Sequence, residues 1–305
     1  MKAMRLNAWG QPLQAEQIDR PEPGSDEVLV QVRAASINPF DTWVHAGYMQ
    51  QLFSVPLTLG TDFAGEVVKV GAEIEHVKAG DAVYGLVPMH PGSFAEYVVA
   101  KASEVALKPK TLDYVQAAAV PLASLAGCQS LLTLGEAKAG DRILIIGAAG
   151  AVGGCTIQLA KELGATVYAV DVPERGDFIR SLGVDRFIDA KAERFEDVVG
   201  TVDLVEDYVG GDYIQRSLAV LPDGGRYVTS LILPTPYEEA DRRGIKASGL
   251  ATQARTDHLN DMAERIDRGI LKVFVNRTFP LEEAQAAIAY TMQSRGVGKV
   301  VLTVS

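Results

Sequence analysis

The segment "RILIIGAAGAVGGCTIQLAKELGATVYAVD", residues 142–171, decides the fold. It opens on a short apolar run, "RILIIG", and passes through a turn of glycine and alanine. A stretch with apolar residues at helical spacing follows, and the segment closes on a second β-branched run, "ATVYAVD". Strand, glycine turn, helix and strand in that order predict a βαβ unit with parallel strands. Gly147, Gly150 and Gly153 are spaced G-x-x-G-x-x-G, and Ala148, Ala149 and Ala151 keep the turn small. Small side chains let backbone N–H groups and the helix N-terminus approach a pyrophosphate. Gly147, Ala149, Gly150, Ala151, Val152 and Gly153 are therefore candidate dinucleotide contacts. The alternative is that the glycines only tighten strand–helix packing. Asp171 ends the next strand, 18 residues after Gly153. A carboxylate there accepts hydrogen bonds from the adenosine ribose hydroxyls and repels a 2′-phosphate, which favours NADH over NADPH. A turn aspartate before Pro173 is the structural alternative, and Arg175 stands close enough in sequence to serve a phosphate instead.

Outward from this unit the alternation continues. "RFID", "TVDLVEDYVGG" and "GGRYVTSLIL" read as further strands, with "DFIRSLG" and "DYIQRSLAVL" as helical connections. The first hundred residues read differently. "EVLVQVRAASI", "AGEVVKVG" and "GSFAEYVVA" are strands punctuated by "RPEPGSDE" and "KAGD", a β-barrel or sandwich pattern. "HLNDMAERIDR" (258–268) is an amphipathic helix, after which "KVFVNRTFP" and "KVVLTVS" return to strand. The expected fold is α/β: a Rossmann doubly wound parallel sheet, residues 121–269, inserted in a β-domain of residues 1–120 and 270–305.

The chain has 305 residues, 48% of them hydrophobic and 22% charged, enough to bury a core without disulfides. Cys128 and Cys155 form no C-x-x-C pair, which fits a cytoplasmic protein. The formal charge of −10 disfavours nucleic acid and anionic membrane as partners. "MKAMRLNAWG" lacks the apolar core of a signal peptide. The uncharged run Tyr114 to Gly135 is interrupted by Pro121, Gln116, Gln129 and Ser124, and reads as a buried helix pair rather than a membrane span.

"INPFDTWVHAGY", "LGTDFAGEVVKVG", "GDAVYGL", "AAAVPLASLAG", "AGDRILIIGAAGAVGG", "SLAVLPDGGRYV" and "GKVVLTV" together resemble the medium-chain dehydrogenase/reductase superfamily, in its zinc-free, zeta-crystallin-like quinone oxidoreductase branch. The resemblance runs over essentially the whole chain. It implies a chaperonin-10 (GroES)-like barrel, a Rossmann domain, an interdomain cleft and a homodimer. Zinc members carry a cysteine where this chain has Asn38, and His-Glu where it has Thr61-Asp62. "LVPMHPGSFAEY" also lacks the cysteines of their second zinc. No metal is therefore expected, and the scattered His45, His76, His90 and His258 form no ligand set. Without a Lewis acid, reduction of an isolated ketone loses its main support, whereas a quinone or α,β-unsaturated carbonyl spreads the arriving charge over a conjugated system.

Two donors stand out. The counterpart of Asn38 in the family lies beside the nicotinamide. Asn38-Pro39-Phe40-Asp41 also reads as a helix N-cap, and both roles can hold. Tyr48 resembles a tyrosine that acts as donor in enoyl-thioester reductases of the superfamily; a packed aromatic is the alternative. Asp41 and Asp62 read as structural acids. Relatives commonly have "PLAGLTAWQAL" where this chain has "PLASLAGCQSL". Ala126 thus replaces a threonine near the nicotinamide, with Ser124 as a substitute, and Cys128 reads as a buried small residue. By topology, Val209 ends the fourth Rossmann strand, Ser230 and Leu231 end the fifth, and 248–254 line the acceptor side. The expected activity is hydride transfer from NAD(P)H to a quinone or enone. An enoyl-thioester reductase and a non-catalytic NAD(P)H-binding redox sensor or structural protein are the alternatives.

Overall fold

The computed structural model describes residues 1–89, 91–230, 238–293 and 296–305. Contacts divide it into two units, Met1–Leu122 with Ala254–Ser305, and Ala123–Gln253. His90 and Leu231 lie outside the described residues.

The first unit holds strands β1 (Lys2–Leu6), β2 (Gln14–Gln17), β3 (Glu27–Ile37), β4 (Leu57–Thr58), β5 (Asp62–Val70), β6 (Ala82–Leu86), β7 (Tyr97–Lys101) and β8 (Val105–Leu107). Strands β1, β2 and β4 form a small antiparallel sheet. Two strands from the far end of the chain join the larger sheet of this unit, as given below. The alternation in "EVLVQVRAASI" buries Val28, Val30, Val32 and Ile37 in the core with Phe63, Val83, Phe94 and Val98. Ser36 belongs to the same strand and is equally buried, the first sign of a polar site inside this core.

The second unit is the sheet expected from the glycine turn. Its strands are β9 (Arg142–Ile146), β10 (Thr166–Asp171), β11 (Arg186–Asp189), β12 (Leu204–Asp207), β13 (Arg226–Thr229) and β14 (Lys246–Gly249). They are all parallel, in the order β11-β10-β9-β12-β13-β14. Strand β9 is apolar on both faces because helices cover parallel sheets on both sides, and Ile143 to Ile146 are buried. Strand order reverses between β9 and β12, the place where open α/β sheets bind ligands beyond their C-terminal ends. The uncharged run before β9 forms the helices Tyr114–Ala118 and Pro121–Cys128 and a π-helical turn, Gln129–Leu134. Among the described residues no helix is long and apolar enough to cross a membrane.

Strands β15 (Val275–Pro280) and β16 (Lys299–Thr303) return to the first unit, where β16 pairs antiparallel with β3 and parallel with β15. The larger sheet then runs β15-β16-β3-β5-β6-β8, with β7 also on β3. The expected boundaries were 120/121 and 269/270, whereas the contacts divide the chain after Leu122 and after Gln253. Helix Thr256–Asp267 accordingly sits with the first unit. Tyr84 donates to the Leu259 carbonyl, Thr256 to the carbonyls of Ala102 and Val105, and Thr111 to the Asp267 carboxylate.

Candidate active site

In the second unit the turn after β9 is shaped by backbone constraints. Gly147 adopts φ +79°, a conformation that L side chains rarely take. A Cβ on Gly153 would stand 2.5 Å from the Gly147 carbonyl oxygen. Gly150 caps helix Ala151–Leu163 and has no side chain to bond the first-turn N–H groups. The amides of Ala151, Val152 and Gly153 are thus left without a side-chain cap at the positive end of the helix, the arrangement that receives a pyrophosphate. Asp171 is buried at the end of β10. It accepts the Ala149 N–H at 2.9 Å and the Val172 N–H at 2.8 Å, and it faces Arg175 at 3.5 Å. The carboxylate therefore fastens the glycine turn to the neighbouring strand. Val209 is half exposed beyond β12, held by the Asp207 carboxylate on its N–H, with its side chain against Gly147. Ser230 follows β13 and is partly exposed, and Ser124 is buried in helix Pro121–Cys128.

Behind this end of the sheet lies a buried group that sequence reasoning missed. Glu206 on β12 has one oxygen without a hydrogen-bond partner, and the other accepts from the Tyr208 phenol at 3.1 Å. Tyr208 in turn meets Ser130 and Thr156, each at 2.8 Å. Burial pushes the Glu206 carboxyl up to about 8. The available signal was a glutamate inside the apolar run "LVEDYV".

In the first unit, helix Pro39–His45 starts on Asn38, whose N–H is taken by the Asp41 carboxylate at 2.6 Å. Asp41 thus supplies the cap. Asn38 is 1% exposed, and its side chain turns instead into a buried cluster. Its amide nitrogen donates to Thr61 Oγ1 at 3.1 Å and Asp62 Oδ2 at 3.0 Å, and its oxygen accepts from Lys299 Nζ. Lys299 also meets Asp62 Oδ2 at 3.0 Å. Ser36 donates to the same oxygen at 2.7 Å, and the Leu122 N–H occupies Asp62 Oδ1 at 2.8 Å. Gly60 aligns the segment: at φ +96°, any Cβ there would strike the Phe94 ring at 2.3 Å. Burial above all pushes the Asp41 carboxyl up to about 7, against the opposing pull of the Asn38 N–H and the Lys299 charge. Tyr48 stands outside this cluster and is 75% exposed.

Lys299 was not anticipated; a lysine in the apolar run "GKVVLTV" was the signal for it. Its ammonium stands among Asn38, Thr61 and Asp62, the residues that by the resemblance replace zinc ligands. Zinc takes three or four N, S or carboxylate ligands. Here the donors are an amide, a hydroxyl and a carboxylate already saturated by hydrogen bonds, and a cation lies between them. These residues do not fit a zinc ion. Among the described residues no group of three or more His, Cys, Asp or Glu could hold a metal.

Residues 24–110 match the family model described as the alcohol dehydrogenase GroES-like domain, and 182–302 match that of the zinc-binding dehydrogenases. The chain is 35% identical to the chloroplastic NADPH-dependent alkenal/one oxidoreductase of Arabidopsis thaliana, over 92% of this chain and 73% of that protein. It is 31% identical to the mitochondrial NAD(P)H oxidoreductase RTN4IP1 of Mus musculus, over 92% and 82%. Among solved structures, the quinone oxidoreductase from Coxiella burnetii superposes with a TM-score of 0.90 at 31% identity, covering 100% of this chain and 99% of that one.

Proposed function

The chain belongs to the medium-chain dehydrogenase/reductase superfamily, in its quinone and enone reductase branch, and we propose that it reduces quinones or α,β-unsaturated carbonyls without zinc. It is an oxidoreductase of an NAD(P)H-dependent family. The observation that carries the zinc-free reading is the Lys299 ammonium bonded to both Asn38 and Asp62. A lysine cannot polarise an isolated carbonyl by coordination as a metal does, because it offers hydrogen bonds and charge but no empty orbital. A conjugated acceptor needs less, since the charge that arrives with the hydride is shared over several atoms.

The reduced nicotinamide nucleotide supplies the hydride when bound. Gly147, Ala149, Gly150, Ala151, Val152 and Gly153 would hold its pyrophosphate, and Asp171 its adenosine ribose. Ser124, Val209 and Ser230 would line the nicotinamide side, together with Leu231, which lies outside the described residues. Asp171 favours NADH, because its fixed negative charge would face a 2′-phosphate. The exposed Tyr48 phenol donates the proton that completes reduction. Asn38 acts from within the buried cluster, as a fixed donor system behind the acceptor. A cytoplasmic homodimer completes the reading, supported by buried Cys128 and Cys155, which are not in disulfides, and by the family's habit.

The test is oxidation of NADH and NADPH with phenanthrenequinone, a small enone and, in the reverse sense, a short alcohol with the oxidised nucleotides. Turnover of the first two acceptors and none of the alcohol is expected, in protein with no stoichiometric zinc by elemental analysis. Brisk alcohol oxidation by zinc-loaded protein would refute the proposal. Tight nucleotide binding with no turnover would favour the redox sensor, and preference for an enoyl thioester the thioester reductase.

A further inference from the structure

The hydrogen bonds around Asn38 have one consistent direction. An ammonium group has donors and no lone pair, so Lys299 must donate and the Asn38 atom facing it is the amide oxygen. That orientation turns the amide NH2 towards Thr61 and Asp62. An amide nitrogen only donates, so Thr61 Oγ1 is an acceptor in this bond. The hydroxyl proton of Thr61 must then find another partner. Asp62 does not take it, since its oxygens receive Ser36, Asn38, Lys299 and the Leu122 N–H. Among the described residues Thr61 has no other side-chain hydrogen bond, and the residue is 6% exposed against 0% for Asp62.

We propose that Thr61 is a catalytic hydrogen-bond donor to the acceptor oxygen, with Lys299 and Asn38 as positioning residues that polarise it. This rests on the proposed reduction of a conjugated carbonyl or quinone. Hydride addition forms a C–H bond on the acceptor as the C4–H bond of the reduced nicotinamide breaks, and the displaced π pair collects on the acceptor oxygen. The Thr61 hydroxyl holds that oxygen until the proton arrives from Tyr48 or water. A chain running from ammonium through amide to hydroxyl strengthens its last donor, because each bond polarises the next. The backbone also keeps the hydroxyl in place: Gly60 tolerates no side chain against Phe94, and the Thr61 carbonyl is bonded to the Val87 N–H.

The experiment compares wild type, Thr61→Val and Thr61→Ser. Loss of one donor at a developing oxyanion costs roughly a hundredfold in kcat. Thr61→Val should lose about that much on an enone, with the KM for the nucleotide unchanged, and Thr61→Ser should stay within about tenfold of wild type. The second readout needs no turnover. Added p-nitrophenol, followed by its phenolate absorbance, should titrate at a lower pH when bound to wild type or Thr61→Ser than to Thr61→Val. Thr61→Val with wild-type kcat, Thr61→Ser as impaired as Thr61→Val, or p-nitrophenol that titrates alike on all three or fails to bind wild type each overturns the assignment. Wild type that reduces no acceptor yet shows the p-nitrophenol difference would instead sink the functional reading and keep the donor.

Discussion

Replacing Asp41 by asparagine should flatten the pH dependence of stability. Burial raises the Asp41 carboxyl from its ordinary 3.8 to about 7, with Lys299 from β16 pulling it down and Asp62 from β5 pushing it up. Between about pH 4 and pH 7 the folded chain therefore keeps a proton that the unfolded chain has released. Stability falls as pH rises through that window, because the unfolded state binds fewer protons there. The whole displacement corresponds to about 4 kcal/mol, lost by the time the pH exceeds 7. Roughly 3 kcal/mol of it is lost between pH 5 and pH 8. Asp41→Asn has no charge to bury, and its amide oxygen can still accept the Asn38 N–H. Urea denaturation of both proteins at pH 5 and pH 8 isolates the effect, since the other titrating groups cancel in the difference. Tryptophan fluorescence reports on the correct unit, because Trp9 and Trp43 both lie in it. The variant should gain roughly 3 kcal/mol on wild type between the two pH values. An equal stability difference at both would mean that Asp41 is ionised throughout, and the burial argument would fail.

Other substitutions test the remaining parts of the site. Asp171→Ser should move the NADPH/NADH ratio of kcat/KM upward by roughly tenfold, about 1.4 kcal/mol, by removing the charge that opposes a 2′-phosphate. An unchanged ratio would remove Asp171 from cofactor choice. Tyr48→Phe should lower kcat on an enone by about a hundredfold and on a quinone by less than about tenfold, since quinones need less help from an acid. Equal rates on both would take Tyr48 out of the mechanism. Gly153→Ala places a methyl group 2.5 Å from the Gly147 oxygen and 2.9 Å from Ala148 Cα, so the turn must shift. Nucleotide affinity by fluorescence titration should fall while Thr61 and Lys299 stay intact; unchanged affinity would mean the turn does not hold the nucleotide.

The fold was legible wherever local pattern and burial agree. "EVLVQVRAASI" is strand β3 from its first residue to its last, and the glycine turn lies between β9 and its helix as its spacing required. The helix of 256–267 was legible as a helix; its place was not. The bonds that place it join Leu259 to Tyr84 and Thr256 to Ala102, contacts at a sequence separation that no local periodicity encodes. The same limit applies to the cluster. Asn38, Thr61 and Asp62 stood out by resemblance, but their cation lies 261 residues from Asn38. A single lysine in an apolar strand signals a buried charge without naming its partner. Glu206 was hidden in the same way: the Tyr208 phenol that meets it is held by Ser130 and Thr156, from two other elements.

Stability alone does not account for the Lys299 cluster. Taking an ammonium and a carboxylate out of water costs several kcal/mol each, and their attraction with good hydrogen bonds does little more than offset that cost. A valine at 61, leucines at 38 and 62 and a methionine at 299 would fill much the same volume with no buried charge, in a core already lined by Ile37, Phe63 and Phe94. The polar arrangement has a property that such a core would lack: it is directional. Lys299 fixes the Asn38 amide, Asn38 fixes the lone pair that Thr61 must use, and Ser36 with Leu122 keeps Asp62 from competing for the last proton. A metal ion would achieve orientation by coordination; here it follows from the fact that an ammonium can only donate. The consequence is a site whose strength depends on one buried positive charge and whose output is one hydroxyl proton. That is enough for an acceptor that delocalises its own charge and too little for an isolated ketone, so acceptor choice follows from the direction of three hydrogen bonds.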